Sequence, residues 1–196
     1  MSRWAVFDLN GTLLDPARLG PAALDRAILS AMTLNHVGEY RPFPELLAAS
    51  GAATGEAMPA FPEAPAALDL LAEAGVRLAV LTNSPTETAE RGLRAAGLRE
   101  RFEHVVGTDQ VGVFKPDARV YRHGLGVIGA EPGEATMVAA HWWDLRGARA
   151  VGMRVAWVGR GEGALSALLP DPDASGADLL ATAMMIASAE RAEEQG

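Results

Sequence analysis

Short apolar runs that end in polar residues and alternate with helical patterns set the tightest limit on what this chain can become. The runs are Trp4–Phe7, Arg77–Leu81, His104–Val106, Thr136–Ala140 and Met153–Val158. Apolar segments of this length read as buried strands. Between them lie helical patterns. Ala64–Ala74 puts Leu68, Leu71 and Ala72 on one face, and Ser84-Pro85-Thr86-Glu87 reads as a capping box opening a helix that ends near Ala96, before Gly97. Asp117 caps a helix through Tyr121 and Leu125, and Asp144–Val151 forms another. The tail from Ala177 reads as a short strand or turn and then a helix that frays beyond Arg191. This alternation predicts an α/β fold: a mostly parallel sheet with helices on both faces.

One stretch breaks the pattern. From about Asp15 to Pro62 the chain carries two helical patterns, Ala22–Met32 and Pro44–Ala49, and a link rich in glycine, alanine and proline from Gly51 to Pro65. It reads as a small helical subdomain inserted after the first strand. The expected division is a core of residues 1–14 and 63–196 and an insertion of 15–62.

Composition excludes several classes of function. A chain of 196 residues has room for one domain with such an insertion. The chain has no cysteine, which removes disulfide scaffolds, thiolate zinc sites, Fe–S clusters and thiol nucleophiles, and fits a reducing cytoplasm. The net charge of −8 argues against a nucleic-acid partner. The first apolar run stops at Asp8, too short for a signal peptide, and the longest apolar-leaning stretch, Leu179–Ala189, falls well short of the ~20 residues of a membrane span. No nucleic acid and no membrane are therefore expected as partners. A homodimer is the expected cover for the apolar stretch Ala48–Phe61.

In an open parallel sheet the site lies beyond the carboxyl ends of the strands. The residues there are Asp8 to Thr12, Thr82 to Ser84, and His141 with Asp144. Lys115, at the start of a helix, is the sole lysine among 17 basic residues. An ammonium is a compact point charge where arginine is a planar fork, so its survival here is pointed. Asp8 is a fixed carboxylate, fit for nucleophile or metal ligand. Gly11 allows a sharp turn, Thr82 and Asn83 can donate to an anion near a helix start, Lys115 can keep Asp8 ionised, and Asp144 can hold Lys115 or orient water. Taken singly each has an ordinary reading: a strand-end turn, a helix cap, a core histidine, a packing pair at Trp142 and Trp143. Taken together, at successive strand ends and in order, they read as one site.

The runs Phe7–Asp15, Leu81–Asn83, Phe114–Asp117 and Met137–Ala148 resemble the four motifs of the haloacid dehalogenase (HAD) superfamily, in order and across nearly the whole chain. The resemblance implies a Rossmann-like core, a cap domain and an aspartate that forms a covalent intermediate. It makes Asp8 the nucleophile, Thr12 its supporting hydroxyl, Thr82 and Asn83 the donors to a small anionic substrate, Lys115 the charge balance and Asp144 the motif-four acid.

Two branches of that superfamily compete. Its phosphatases carry a second aspartate, which protonates the leaving alcohol, where this chain has Asn10. They carry a magnesium-binding aspartate where it has Ala140. An amide has no such proton to give, and alanine cannot hold magnesium, so only weak metal binding through Asp8 and Asp144 is expected. A 2-haloacid dehalogenase needs neither part, because halide leaves without a proton and no cofactor is required. Trp143-Asp144 followed by Gly147-Ala148, and Tyr121 after Lys115, resemble that branch. The dehalogenases carry serine at the Ala139 position, asparagine at His141 and a larger residue at Asn10. His141 is thus a candidate water-positioning or basic group, and Leu9, Asn10, Thr82, Asn83, Tyr121 and His141 are the candidate substrate contacts. Their cap supplies an arginine, for which Arg18, Arg26 and Arg41 are candidates. The expected function is metal-independent hydrolysis of 2-haloacids through an Asp8 ester. The alternatives are a magnesium-dependent phosphatase with impaired acid catalysis and a non-catalytic binding protein of the same fold.

Overall fold

The computed structural model describes residues 3–20, 22–53, 57–160 and 171–194. Six strands form one sheet: β1 (Trp4–Phe7), β2 (Arg77–Thr82), β3 (His104–Gly107), β4 (Ala135–Ala139), β5 (Arg154–Val158) and β6 (Ala174–Gly176). Their order is β3-β2-β1-β4-β5-β6, and every pairing is parallel. Phe7 is in register with Val80 on one side and Val138 on the other, so β1, β2 and β4 end at one level.

Alternation along the strands divides the interior in two. Ala5 and Phe7 of β1, with Leu78 and Val80 of β2, face α3 (Ala64–Glu73), α4 (Thr86–Ala95) and α7 (Leu179–Glu194). Trp4 and Val6, with Ala79 and Leu81, face α5 (Ala118–Ile128) and α6 (Trp142–Ala150). Both faces of β1 are covered, which is why its four residues are all apolar and buried.

Between β1 and α3 the chain makes an excursion. Asp15 N donates to Pro59 O and Phe61 N to Leu13 O, which stitches its two ends together. The excursion carries α1 (Ala23–Val37) and α2 (Phe43–Ala49). Their apolar faces meet each other and Phe114 in a third cluster holding Leu24, Ile28, Phe43 and Leu46. Asn35 fastens α1 to the core at the residue before Lys115: its Nδ2 donates to Phe114 O at 2.6 Å and its Oδ1 accepts from Phe114 N at 2.9 Å.

Several local expectations need correction. Ser84 does not cap α4: Pro85 stands at the cap position, and Asp109 Oδ1 accepts from Thr86 N at 2.8 Å and from the Thr86 hydroxyl at 3.1 Å. A carboxylate that follows β3 reaches the helix start because β2 and β3 end side by side. Helix α1 runs on to Val37, stopping at Gly38 in a left-handed conformation with φ of 75°. Helix α6 starts at Trp142, ahead of Asp144, and the last strand lies before Ala177. Met58, Ala60 and Phe61 pack partly buried against the core, so the Ala48–Phe61 stretch offers less apolar surface than expected. Thr54 to Glu56 of that stretch lie outside the described residues. No helix among the described residues is long and apolar enough to cross a membrane.

Candidate active site

The parallel register delivers Asp8, Thr82 and the Ala140–His141 turn to one edge of the sheet. Asp8 is buried at the end of β1, its backbone N donating to Val138 O. Gly11 follows with φ of 86°, a conformation side chains resist. A Cβ there would stand 2.8 Å from His141 Cε1, so the glycine also leaves room for the imidazole.

Lys115 lies at the centre of the polar network and is fully buried. Its Nζ donates to Asp8 Oδ1 at 2.8 Å, Asp144 Oδ2 at 2.6 Å and Leu81 O at 3.0 Å. Three donors meet three acceptors arranged around a point, a geometry a planar guanidinium does not match. Burial opposes the ammonium, but Asp144 and Asp8 outweigh it and its pKa is raised. Burial would likewise raise Asp8, but Lys115 and then His141 more than offset it and hold this carboxyl well below the usual range. Asp144 is pushed up by burial against the pull of Lys115. Asp8 is therefore held in its ionised form, as a nucleophile must be.

The second oxygen of Asp8 accepts from Thr12 Oγ1 at 3.1 Å. Thr12 Oγ1 itself accepts from Ala140 N at 3.0 Å, which turns its hydroxyl hydrogen toward Asp8. His141 Nδ1 is 3.4 Å from the same Asp8 oxygen.

Over Asp8 sits a small cavity of about 10 Å³, roughly the space one water requires. Asp8, Asn10, Thr82, Asn83 and His141 supply its polar wall, and Leu24, Ile28, Phe43 and Trp143 its apolar wall. Thr82 Oγ1 accepts from Ser84 N and Asn83 Oδ1 from Lys115 N, so the Thr82 hydroxyl and the Asn83 amide nitrogen are left to donate. The helix start beside them is occupied by Asp109 and does not serve as an anion site. Asn10 Nδ2 donates to Ser84 Oγ at 3.4 Å, while its Oδ1 is buried with no hydrogen-bond partner among the described residues. His141 and Leu24 also line an outer cavity of about 700 Å³ with Arg160 and Phe61.

Not every candidate meets at this point. Tyr121 is fully buried behind Asp144, donating to its Oδ1 at 2.7 Å, and does not line the cavity. Leu9 points into the core beside Leu13 and Leu14. Arg18 and Arg41 are exposed, Arg26 donates to Ser50 O and ties α1 to α2, and none of the three lines the cavity. The wall residues Leu24, Ile28 and Phe43 escape a sequence reading because their spacing on α1 and α2 is that of any buried helical face.

These residues suit magnesium poorly. The ion seeks octahedral oxygen coordination with one or two carboxylates. Lys115 already takes an oxygen of each carboxylate, Tyr121 takes the other oxygen of Asp144, and Ala140 offers none. No group of three or more histidine, cysteine or acidic residues among the described ones is placed to hold a metal.

The sequence matches the family model for haloacid dehalogenase-like hydrolases over residues 49–152, more than half of the chain. It is 31% identical to an (S)-2-haloacid dehalogenase of Pseudomonas sp. (strain YL) over 136 residues, 69% of this chain and 59% of that one. It is 41% identical to a phosphoserine phosphatase of Thermus thermophilus over 119 residues, 60% of this chain and 45% of that one. The chain spans about half the length of the curated relatives it matches. The fold superposes on an L-2-haloacid dehalogenase from Xanthobacter autotrophicus with chloropropionic acid covalently bound, at a TM-score of 0.82, with 21% identity and 95% and 98% of the two chains covered.

Proposed function

Because the chain belongs to the haloacid dehalogenase-like hydrolases, we propose that it displaces halide from a 2-haloacid without metal, through an ester on Asp8. The observation that carries this reading is the setting of Asp8. It is an ionised carboxylate fixed by Lys115 and facing a small slot whose far wall is Leu24, Ile28, Phe43 and Trp143. An apolar wall facing the nucleophile suits a carbon–halogen bond.

In this reading one Asp8 oxygen attacks the carbon bearing the halogen, the carbon–halogen bond breaks and halide departs. Lys115 and Thr12 hold the carboxylate in line. The substrate carboxylate is met by the donors of Thr82 and Asn83. Residues 15–62 act as the cap that closes the slot. Water then attacks the carbonyl carbon of the ester, releasing a 2-hydroxy acid and restoring Asp8.

The test is halide release from chloroacetate and 2-chloropropionate in the presence of a chelator. A single turnover in oxygen-18 water should place label in the Asp8 side chain. Unlabelled Asp8 after turnover would overturn the covalent route.

A second reading, a magnesium-dependent phosphatase, is favoured by the Thermus relative. It requires magnesium-dependent turnover of an aryl phosphate. A cytoplasmic setting, consistent with a chain lacking cysteine, and a homodimer belong to the main reading. A groove between α1 and α6, lined by Ile28, Leu29, Met32 and Trp142 with Leu29 66% exposed, is the surface that supports pairing, and light scattering measures it.

A further inference from the structure

Ester hydrolysis needs a group to take a proton from water, and Asp144 is poorly placed for it. Its side chain is fully buried, its oxygens are held by Lys115 and Tyr121, and it does not line the cavity over Asp8. His141 does line it. The residue stands at the cap position of α6, which fixes its backbone, and its ring packs against Trp143 with centroids 5.3 Å apart. Its Nδ1 lies 3.4 Å from Asp8 Oδ2, close enough to reach a water approaching the carbonyl carbon of that group. The same ring also lines the outer cavity. Asn10 contributes a second feature: a buried Oδ1 without a partner among the described residues, on the wall of the same cavity. A water there offers the hydrogen this oxygen lacks.

Building on the covalent Asp8 reading above, we infer that His141 is the general base that activates water against the Asp8 ester. Water oxygen bonds to Asp8 Cγ while one of its protons passes to the imidazole, and Asn10 Oδ1 accepts a hydrogen bond from the other. The tetrahedral intermediate then collapses. The bond from Cγ to the ester oxygen breaks, and the departing alkoxide of the 2-hydroxy acid takes the proton from the imidazolium. Asp8 is left as a carboxylic acid carrying one oxygen from water, its remaining proton passes through the freed imidazole to solvent to restore the carboxylate, and no oxidant, reductant or metal is consumed.

Rapid-quench halide release and intact-protein mass spectrometry with chloroacetate test this on wild type, His141→Gln and His141→Ala. Each variant should give a burst of about one halide per site, a steady rate lower by about 10²-fold or more, and an accumulating ester adduct. The burst itself reports a folded, alkylating protein. Variants that turn over at the wild-type rate, or slow without an adduct, overturn the role of His141. So does loss of the burst in both variants when their near-ultraviolet circular dichroism is native. Wild type that releases no halide and carries no adduct defeats the dehalogenase reading instead.

Discussion

The single ammonium at position 115 bridges two buried carboxyl groups, and its neighbours show why no other cation suffices. Lys115→Met leaves Asp8 and Asp144 facing each other in a low-dielectric setting. The expected loss is about 3–5 kcal/mol of stability, read by urea unfolding, together with activity. Lys115→Arg should not restore either, because a planar fork cannot meet Asp8, Asp144 and Leu81 O together. Asp8→Asn removes the nucleophile and should lower halide release by on the order of 10⁴-fold or more, with the fold intact by circular dichroism. Gly147 has a less visible role. A Cβ there would lie 2.5 Å from the Tyr121 hydroxyl and 2.7 Å from Pro116 Cβ. Gly147→Ala should therefore displace Tyr121 from Asp144, destabilise by about 1–3 kcal/mol and lower activity, as thermal melts and halide assays report. At this scale Asp8 and Lys115 are legible from sequence, because a strand-end carboxylate and a lone lysine stand out. Tyr121 is not: its spacing from Lys115 suggests a substrate contact, whereas its hydroxyl is used up on Asp144.

At the scale of elements, the start of α4 depends on a residue from another strand. Gly107 makes this possible, since a Cβ there would be 2.4 Å from both Asp109 Oδ1 and Thr86 N. Gly107→Ala should break the cap and cost about 0.5–2 kcal/mol for that bond alone, with faster hydrogen exchange in the first turn of α4. A local reading assigns the cap to Ser84 because it sees only nearby residues. Asp109 acts across a gap of 23 positions. Helix α1 shows the same effect. Its last turn mixes Leu34 and Val37 with Asn35 and His36, and Asn35 secures it to the backbone before Lys115. Asn35→Ala strips two bonds from Phe114 and should loosen helix α1 and the Lys115 segment together, visible as raised exchange in both.

For the whole molecule, the buried charge network predicts alkaline lability. The Lys115 pKa is raised above 10.5, so its stabilisation is complete below that value and fades as pH climbs through the raised one. Tyr121 is raised well above 10.0 by burial and then by Asp144. Above pH 10 the unfolded chain loses this proton while the folded chain keeps it, which also lowers stability. Melting temperature should therefore drop from about pH 10 upward, and the drop should shrink in Tyr121→Phe. Asp8, held low, keeps its charge through mildly acidic pH, so Asp8 protonation should not limit activity there.

Apolar runs, helix periodicity and strand-end polar residues were enough to determine the α/β class, the order of its elements and most residues that converge on Asp8, because these signals are local and repeat with the geometry of strand and helix. The tertiary structure alone decided which apolar faces of α1 and α2 line the slot, that Asp109 occupies a helix start and that Tyr121 supports Asp144. Those outcomes depend on where distant segments meet, and side-chain type carries no record of the partner across the gap.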